Sequence, residues 1–483
     1  MSEANAQQEK GMNALARHSL RHPEPRLWTV LERGIDVSPL TPSLSPSDGE
    51  RVPARAGEGR SVASSRFPGS GSLSLVFLLL LSSCFTGPAQ EWTRFRGPNG
   101  SGISPAKTIP TTWTEKDFNW KLPLPGAGHS SPVLWGDRIF LTTGDDQTKK
   151  VSVFCVSASG GKVLWQKAFP FTPYHKNGYN TFASASPAVD QHRVYVCWTS
   201  PEHYTLMALT HDGQTVWEKD LGPFASQHGS GASPIVYQDK VILGNEQDGE
   251  SFLIAVDAAT GKTRWQTPRT SKEAVYSTPC VYEPKDTPPA LIFNSHSTGV
   301  SAIDPDNGKV LWELADVFDK RVVSSPVLAA GLIVGACGSG GGGNYLVAVR
   351  PGSPAKKPEV AYTLRKSAPY VPMSVCVGER LFLWSDGGIV SCVQAASGEV
   401  KWQERVGGNF FSSPLWVDGR LFCLSTKGEV VVVEASDRFQ VLARNALGEV
   451  THSTPAVAGG RMFIHTAKSL ISVGGRKTLR VGD

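Results

Sequence analysis

The sequence has few charged side chains, which make up 19% of its 483 residues, and its formal net charge is +5. Basic residues occur at most in pairs, such as Lys149-Lys150 and Lys356-Lys357. Binding to nucleic acid requires Lys and Arg clustered on one face. No nucleic-acid partner is therefore expected.

Cysteines are also sparse: there are eight, none adjacent to another and none in a Cys-x-x-Cys pair. Metal binding by cysteine needs closer spacing, so no metal site is predicted. Five lie inside apolar, strand-like runs, where a thiol behaves as a small hydrophobic group. These are Cys155, Cys197, Cys337, Cys392 and Cys423. We predict free thiols, with disulfides as the alternative if the chain is exported.

No apolar run is long enough to cross a bilayer as a helix; Leu73 to Leu81 spans nine residues. That is the length of a signal-peptide core, so we predict a signal peptide at 68–89 after a disordered or wrongly started segment at 1–67. Two processing outcomes stay open: lipidation of Cys84, or cleavage before Gln90. A buried strand is the alternative interpretation of the run.

One phrase is repeated along the chain, with Gly four residues before Trp. It is most complete at Ala255 to Trp265, where an Asp and Thr-Gly turn joins two strand-like runs. The other copies are Gly161 to Trp165, Gly213 to Trp217, Gly308 to Trp312 and Gly398 to Trp402. The chain is therefore predicted to be a repeat protein.

A second marker, Ser or Thr followed by Pro and a β-rich run, has the same period. The prolines are Pro132, Pro187, Pro234, Pro279, Pro326, Pro414 and Pro455, with a degenerate copy at Val371-Pro372. Successive prolines are 41 to 55 residues apart. Four short alternating strands in each period indicate blades that must stack on their neighbours. The prediction is an all-β, eight-bladed propeller of four-stranded antiparallel blades.

The ends of the repeat region are complementary. Trp120 lies 12 residues before Pro132, as Trp402 does before Pro414, whereas the last copy lacks a fourth strand. We predict that the N-terminal strand completes the last blade and closes the ring, which removes exposed sheet edges. Residues 90–483 would then be one domain. Two copies are irregular: the fifth has no Trp, and the seventh has Val441 near that position.

The turn-and-Trp phrase resembles the PQQ-like propeller repeat, Ala-x-Asp-x-x-Thr-Gly-x-x-x-Trp, of quinoprotein dehydrogenases and of BamB-type barrel-assembly lipoproteins. The resemblance covers about Trp92 to Val473. It implies that each Trp docks against the neighbouring blade, where a large ring buries about 150–250 Å². The predicted blade-docking residues are Trp120, Trp165, Trp217, Trp265, Trp312 and Trp402.

The dehydrogenases that share this repeat hold a quinone and Ca²⁺ at the centre, with a disulfide of adjacent cysteines and acidic ligands. Here no cysteines are adjacent, and the channel-facing strand positions contain Ser, Thr, Ala and Gly. The repeat alone is compatible with PQQ and calcium, but the sequence lacks these ligands. We therefore predict no cofactor and no catalytic residue.

His129 and His452 precede the first and last proline markers by three residues, so ring closure would bring them together. They are candidates for a channel site, against the alternative of ordinary hydrogen-bonded histidines. The expected function is an exported, monomeric, non-enzymatic scaffold, periplasmic or anchored to the outer membrane by Cys84, that binds envelope proteins or polymers through its rim. The alternatives are a PQQ-dependent oxidoreductase and an envelope carbohydrate-binding module.

Overall fold

The structure, a computed structural model, describes residues 92–475. The segments predicted at 1–67 and 68–89, including Cys84, lie outside the described residues. Within 92–475, no helix has the length and apolar character needed to span a membrane. Short 3₁₀ turns occupy Pro98–Gly100 and Glu115–Asp117.

The described residues form eight sheets, each with four antiparallel strands and one with an additional parallel strand, which confirms the predicted all-β propeller. Inner strands of successive sheets contact one another, so the sheets are blades around a central channel. From inner to outer strand, blade 1 comprises Val133–Trp135, Arg138–Asp145, Lys150–Ser157 and Val163–Pro170. Blade 2 comprises Ala188–Val189, Arg193–Thr199, Tyr204–Thr210 and Thr215–Asp220; blade 3 comprises Ile235–Tyr237, Lys240–Asn245, Ser251–Asp257 and Thr263–Arg269.

The next three blades repeat this order. Blade 4 comprises Cys280–Tyr282, Ala290–Ser295, Gly299–Ile303 and Val310–Leu314. Blade 5 comprises Val327–Ala329, Leu332–Cys337, Tyr345–Arg350 and Glu359–Leu364. Blade 6 comprises Val375–Val377, Arg380–Trp384, Ile389–Gln394 and Val400–Arg405.

Blade 7 carries a fifth strand. Its four main strands are Leu415–Val417, Arg420–Leu424, Glu429–Glu434 and Val441–Ala446, and Ile103–Ser104 pairs in parallel with the innermost. Blade 8 comprises Ala456–Ala458, Arg461–His465 and Ser469–Gly474, completed on its outer side by Phe118–Pro123. The two ends of the repeat region therefore share one sheet, as predicted.

The core lies between blades. The second and third strands of each blade are buried on both faces, because each face packs against a neighbouring blade; Ile254 and Val432 are examples. The outer strand alternates buried and exposed residues, as Thr263–Arg269 shows. This difference explains the near-continuous Val, Ile and Leu runs of the second and third strands.

One predicted marker is wrong by two residues. In seven blades the inner strand starts directly after the Pro of the marker, but in blade 6 it starts at Val375. Met373-Ser374, rather than Val371-Pro372, therefore occupies the Ser-Pro position. The sequence did not reveal this shift, because Met373 stands where the other blades have Ser or Thr, and Ser374 stands where they have Pro.

The propeller has two faces that differ in their connections. The connection face carries the loops that link one blade to the next, such as 171–187. The turn face carries the turns between the inner and second strands, and between the third and outer strands. Every blade crosses from one face to the other four times, so the two faces present different parts of the repeat.

Candidate functional site

The predicted docking tryptophans lie on the outer strands and extend toward the next blade. Five donate their indole N–H to a backbone carbonyl there. The acceptors are Ala158 for Trp120 at 3.0 Å, His211 for Trp165 at 2.8 Å, Ala258 for Trp217 at 3.0 Å, Pro305 for Trp265 at 2.9 Å and Ser436 for Trp402 at 3.0 Å. Trp312 packs at the boundary of blades 4 and 5, beside Gly352.

Four docking rings, those of Trp120, Trp165, Trp217 and Trp265, also cover the turn glycine of the next blade. A Cβ on Gly161 would lie 2.4 Å from the Trp120 ring, and a Cβ on Gly308 would lie 2.6 Å from the Trp265 ring. Both glycines have positive φ. The Gly and Trp of the repeat thus serve two different interfaces, which sequence spacing could not reveal.

The two irregular repeats are accommodated differently. In blade 5, Tyr362 takes the Trp position: its hydroxyl donates to the carbonyl of Ala395 at 2.8 Å, and its ring covers Gly398. In blade 7, Ala443 occupies the Trp position and pairs with Val432 of the third strand. Tyr362 was missed because only Trp was sought; a search for any aromatic residue at this position would have found it.

The hydroxyls of the Ser-Pro and Thr-Pro markers join neighbouring blades near the channel. In most cases the backbone N–H of one marker residue donates to the hydroxyl of the next blade. The pairs are Ser131 to Ser186, Ser186 to Ser233, Ser233 to Thr278, Thr278 to Ser325, Met373 to Ser413 and Ser413 to Thr454. The repeated hydroxyls are therefore structural, which explains why they recur in so many blades.

An N-terminal plug, residues Trp92–Gly102, crosses the channel at the turn face. The carbonyl of Trp92 accepts a hydrogen bond from Leu134 N in blade 1, and the carbonyl of Gly102 accepts one from Trp416 N in blade 7. Between them, Asn99 exchanges two hydrogen bonds with the backbone of Val281 in blade 4. The plug therefore contacts blades on several sides of the channel.

Two arginines of the plug are buried in the channel. Arg94 donates to the carbonyl of Pro279 at 2.5 Å. Arg96 is fully buried and donates to the carbonyls of Ser374 at 3.1 Å and Pro414 at 3.0 Å. Burial lowers the pKa of Arg94 to about 10 and that of Arg96 to about 9, so both remain cationic at neutral pH. Sequence reasoning missed this plug because it lies outside the repeat.

The opposite end of the channel carries the predicted histidines, which the structure brings together. The ring centroids of His129 and His452 are 4.6 Å apart. Phe411 packs edge-on against His452 at 5.0 Å, and Tyr179 packs edge-on against Phe411 at 5.3 Å. We call these four residues the mouth cluster.

The imidazoles near the mouth are neutral at physiological pH. Burial lowers the pKa of His129 to about 3, helped by His452, His465 and Lys176. Burial also lowers the pKa of His452, which the backbone of Tyr179 partly offsets. His465, whose pKa burial lowers to about 4, hydrogen-bonds through Nδ1 to the carbonyl of Ser130 at 2.9 Å.

Most aromatic residues of the loop between blades 1 and 2 face inward. Phe171 and Phe182 are buried, with ring centroids 4.7 Å apart, and Tyr174 packs edge-on against Phe182 at 5.2 Å. Tyr179 is 68% exposed at the loop tip. Three of these rings therefore pack inside the loop, and only Tyr179 among the four is exposed.

An ion pair lies on the other side of the mouth. Arg321 contacts Glu273 at 2.5 Å and donates to Gln227 at 3.3 Å, which links three successive inter-blade loops. A separate cavity of about 350 Å³ between blades 2 and 3 is lined in part by Lys219, Asp220 and Glu250. Its lining carries both signs of charge and indicates no particular ligand.

The described residues do not fit the calcium ion that accompanies the quinone in the dehydrogenases sharing this repeat. Calcium requires several oxygen ligands, usually carboxylates. Glu246 is engaged by Arg269 and Ser295, and Asp386 accepts the backbone N–H groups of Tyr370 and Val371. Within residues 92–475, no three or more His, Cys, Asp or Glu side chains are arranged to hold a metal ion.

The fold and its docking contacts define a PQQ-like repeat propeller. The sequence profile of the family described as outer membrane protein assembly factor BamB matches residues 111–334 and 299–477, well over half of the chain. The chain therefore belongs to this family. Comparison with curated protein sequences gives no match.

Solved structures with this fold include BamB and dehydrogenases. BamB from Moraxella catarrhalis is 16% identical with a TM-score of 0.54, covering 74% of this chain and 97% of that one. A europium-containing methanol dehydrogenase is 12% identical with a TM-score of 0.59, covering 79% and 90%. The quinohemoprotein alcohol dehydrogenase from Comamonas testosteroni is also 12% identical, with a TM-score of 0.58 and coverages of 80% and 81%. These likenesses concern the fold.

Proposed function

We propose that this protein is an exported, non-enzymatic propeller of the bacterial cell envelope that binds other envelope proteins or polymers through its connection face. The observation that carries the proposal is the plug: the chain's own Arg94 and Arg96 occupy the channel, where carbonyls of Pro279, Ser374 and Pro414 hold them. Membership in the BamB family supports the same role.

The connection face is the surface proposed for binding. It carries the longer loops and the exposed Tyr179, whereas most turns of the other face are short. Tyr residues contribute strongly to protein interfaces because they bury a large ring at low entropic cost. Placement of the chain in the periplasm or on the outer membrane belongs to this proposal.

The enzymatic alternative is tested by titrating the full chain with pyrroloquinoline quinone, with and without Ca²⁺, while following thermal unfolding. A ligand at a hundredfold excess over its dissociation constant stabilises the native state by about 2.7 kcal/mol. We expect no shift. A rise in melting temperature that requires both quinone and Ca²⁺ would overturn the proposal.

The scaffold role is tested by cross-linking in intact cells, followed by identification of the captured envelope components. A photoreactive residue at position 179 should capture discrete partners, whereas one at position 237, on the turn face, should not. Mass spectrometry of the mature N-terminus tests export separately: it should begin at lipid-modified Cys84 or at Gln90. An intact leader in the mature protein would contradict export.

A further inference from the structure

We infer that the mouth cluster binds a sugar ring of an envelope polysaccharide, with Tyr179 and Phe411 providing the aromatic surface and His129 and His452 providing hydrogen bonds. The inference rests on the proposed function, since it names one polymer class for the connection face. It concerns a small set of side chains contributed by four loops.

The aromatic part of the site is accessible. Tyr179 is 68% exposed although its ring contacts Phe411 at 5.3 Å and His452 at 6.2 Å. The loop that presents it is held by Asn180, whose side chain donates to the carbonyls of His228 and Ser230. Tyr179 is therefore an exposed ring on an anchored loop. Pockets for small ligands combine such aromatic surface with a few oriented polar groups.

The polar part of the site suits hydroxyl groups. A neutral imidazole carries one donor and one acceptor, and a hydroxyl can serve as either. Burial keeps the pKa values of His129 and His452 below neutrality, so both rings are neutral. His129 offers both functions, whereas His452 already interacts with the backbone of Tyr179. In the described part of the chain, Nδ1 of His452 is buried without a hydrogen-bond partner, so this nitrogen still has one hydrogen bond to make.

Other ligand classes match less well. A transition metal needs further ligands, and the described residues contain no suitable group of three or more. The charged and titratable groups that act on His129 are His452, His465 and Lys176, and the cationic Lys176 would repel a metal. An anion could accept only the single N–H of each neutral imidazole and would leave the acceptor nitrogen unused. A neutral sugar requires no countercharge.

The test is calorimetric titration of the full chain with chitotetraose and, separately, maltotetraose. We expect saturable binding of at least one of them. Tyr179→Ala should weaken binding at least about tenfold, the loss expected when an exposed aromatic anchor is removed. His452→Phe keeps the ring but removes the nitrogens, and should weaken binding about fivefold or more.

Tyr237→Ala is the matched control, because Tyr237 ends the inner strand of blade 3 on the turn face. Its affinity should equal that of the wild type, and melting temperatures establish that all variants are folded. Absence of saturable binding, or an equal loss in Tyr237→Ala, would overturn the inference. If cross-linking still captures partners but no sugar binds, only the sugar inference fails and the scaffold role stands. If quinone and Ca²⁺ together stabilise the protein, the scaffold role itself is refuted.

Discussion

Gly261 in the turn of blade 3 lies directly beneath the indole of Trp217 in blade 2, and a Cβ at this glycine would sit 2.7 Å from the ring. The glycine also has a φ of 70°. Its backbone and the tryptophan ring are thus in contact across the blade boundary. A side chain at this position would force the two blades apart.

Gly261→Ala should therefore destabilise the protein by more than the cost of placing an alanine in the left-handed conformation. An alanine in the left-handed region costs about 1–2 kcal/mol, and overpacking adds about 1–3 kcal/mol. Gly419→Ala is the control, since Gly419 has a φ of 77° with nothing within 4 Å of its Cβ position. Urea unfolding should separate the two variants; equal losses would contradict the contact.

The docking of Trp265 stabilises the fold in two ways, through burial of the indole ring and through one hydrogen bond. Its side chain is buried, and Nε1 donates to the carbonyl of Pro305 at 2.9 Å. Trp265→Ala should lower the free energy of unfolding by about 3–5 kcal/mol. Trp265→Phe retains part of the ring but leaves the buried carbonyl without this donor, so we expect a smaller loss of about 1–3 kcal/mol. An unchanged melting temperature in the alanine variant would refute docking.

Arg96→Ala should loosen the plug. Three hydrogen-bond contacts to the carbonyls of Ser374 and Pro414 disappear, and a cavity replaces the buried side chain. A loss of about 3 kcal/mol or more in unfolding free energy is expected, because charge-assisted hydrogen bonds contribute about 1.5–3 kcal/mol each. Arg438→Ala, at an exposed turn, should have no measurable effect in the same assay.

The thiols of the described residues should be unreactive in the native protein. All seven are free. Burial raises the pKa of Cys155, Cys197 and Cys280 to about 12 and that of Cys392 to about 11, so little thiolate forms at about pH 8. An aromatic disulfide reagent should label them only after unfolding in guanidinium chloride. Half-buried Cys376 is the exception and should react slowly in the native state. Rapid labelling of Cys423 in the native state would contradict the buried core.

Stability should fall in mild acid because of His465. Its pKa lies near 4 in the folded state and near 6.5 when unfolded, so the unfolded state binds the proton first as the pH drops. The native state loses up to about 3 kcal/mol between pH 6.5 and pH 4 from this group. His465→Gln should make the pH dependence of urea unfolding shallower over that range, while His129, whose pKa is lowered to about 3, keeps its own contribution. An unchanged pH dependence in His465→Gln would contradict this assignment.

The repeat made the fold predictable. The eight Ser/Thr-Pro markers, one of them degenerate, predicted the blade number, and the missing fourth strand of the last copy predicted pairing with the N-terminal segment around Trp120, which is Phe118–Pro123. Such inferences depend on patterns of residues close together in the chain, which can be read directly from the sequence. The blade 6 error arose where local pattern was absent, at Met373-Ser374.

The candidate site was predictable only in part. The spacing of His129 and His452 predicted their proximity, because ring closure places the first and last markers side by side. Phe411 and Tyr179 join them through loops that follow no repeat. The plug was also unforeseen, since the contacts of Arg96 join residues 278 and 318 positions apart in sequence. Long-range side-chain contacts of this kind leave no periodic signal.

Closure of the last blade by Phe118–Pro123 has a consequence for the order of folding. This strand is synthesised before every blade, yet its partner Ser469–Gly474 is made last. During synthesis it must remain unpaired while about 350 residues emerge, and pairing at such a distance is slow. The nascent chain therefore carries an exposed strand throughout translation, and productive folding depends on keeping that strand from pairing with another chain.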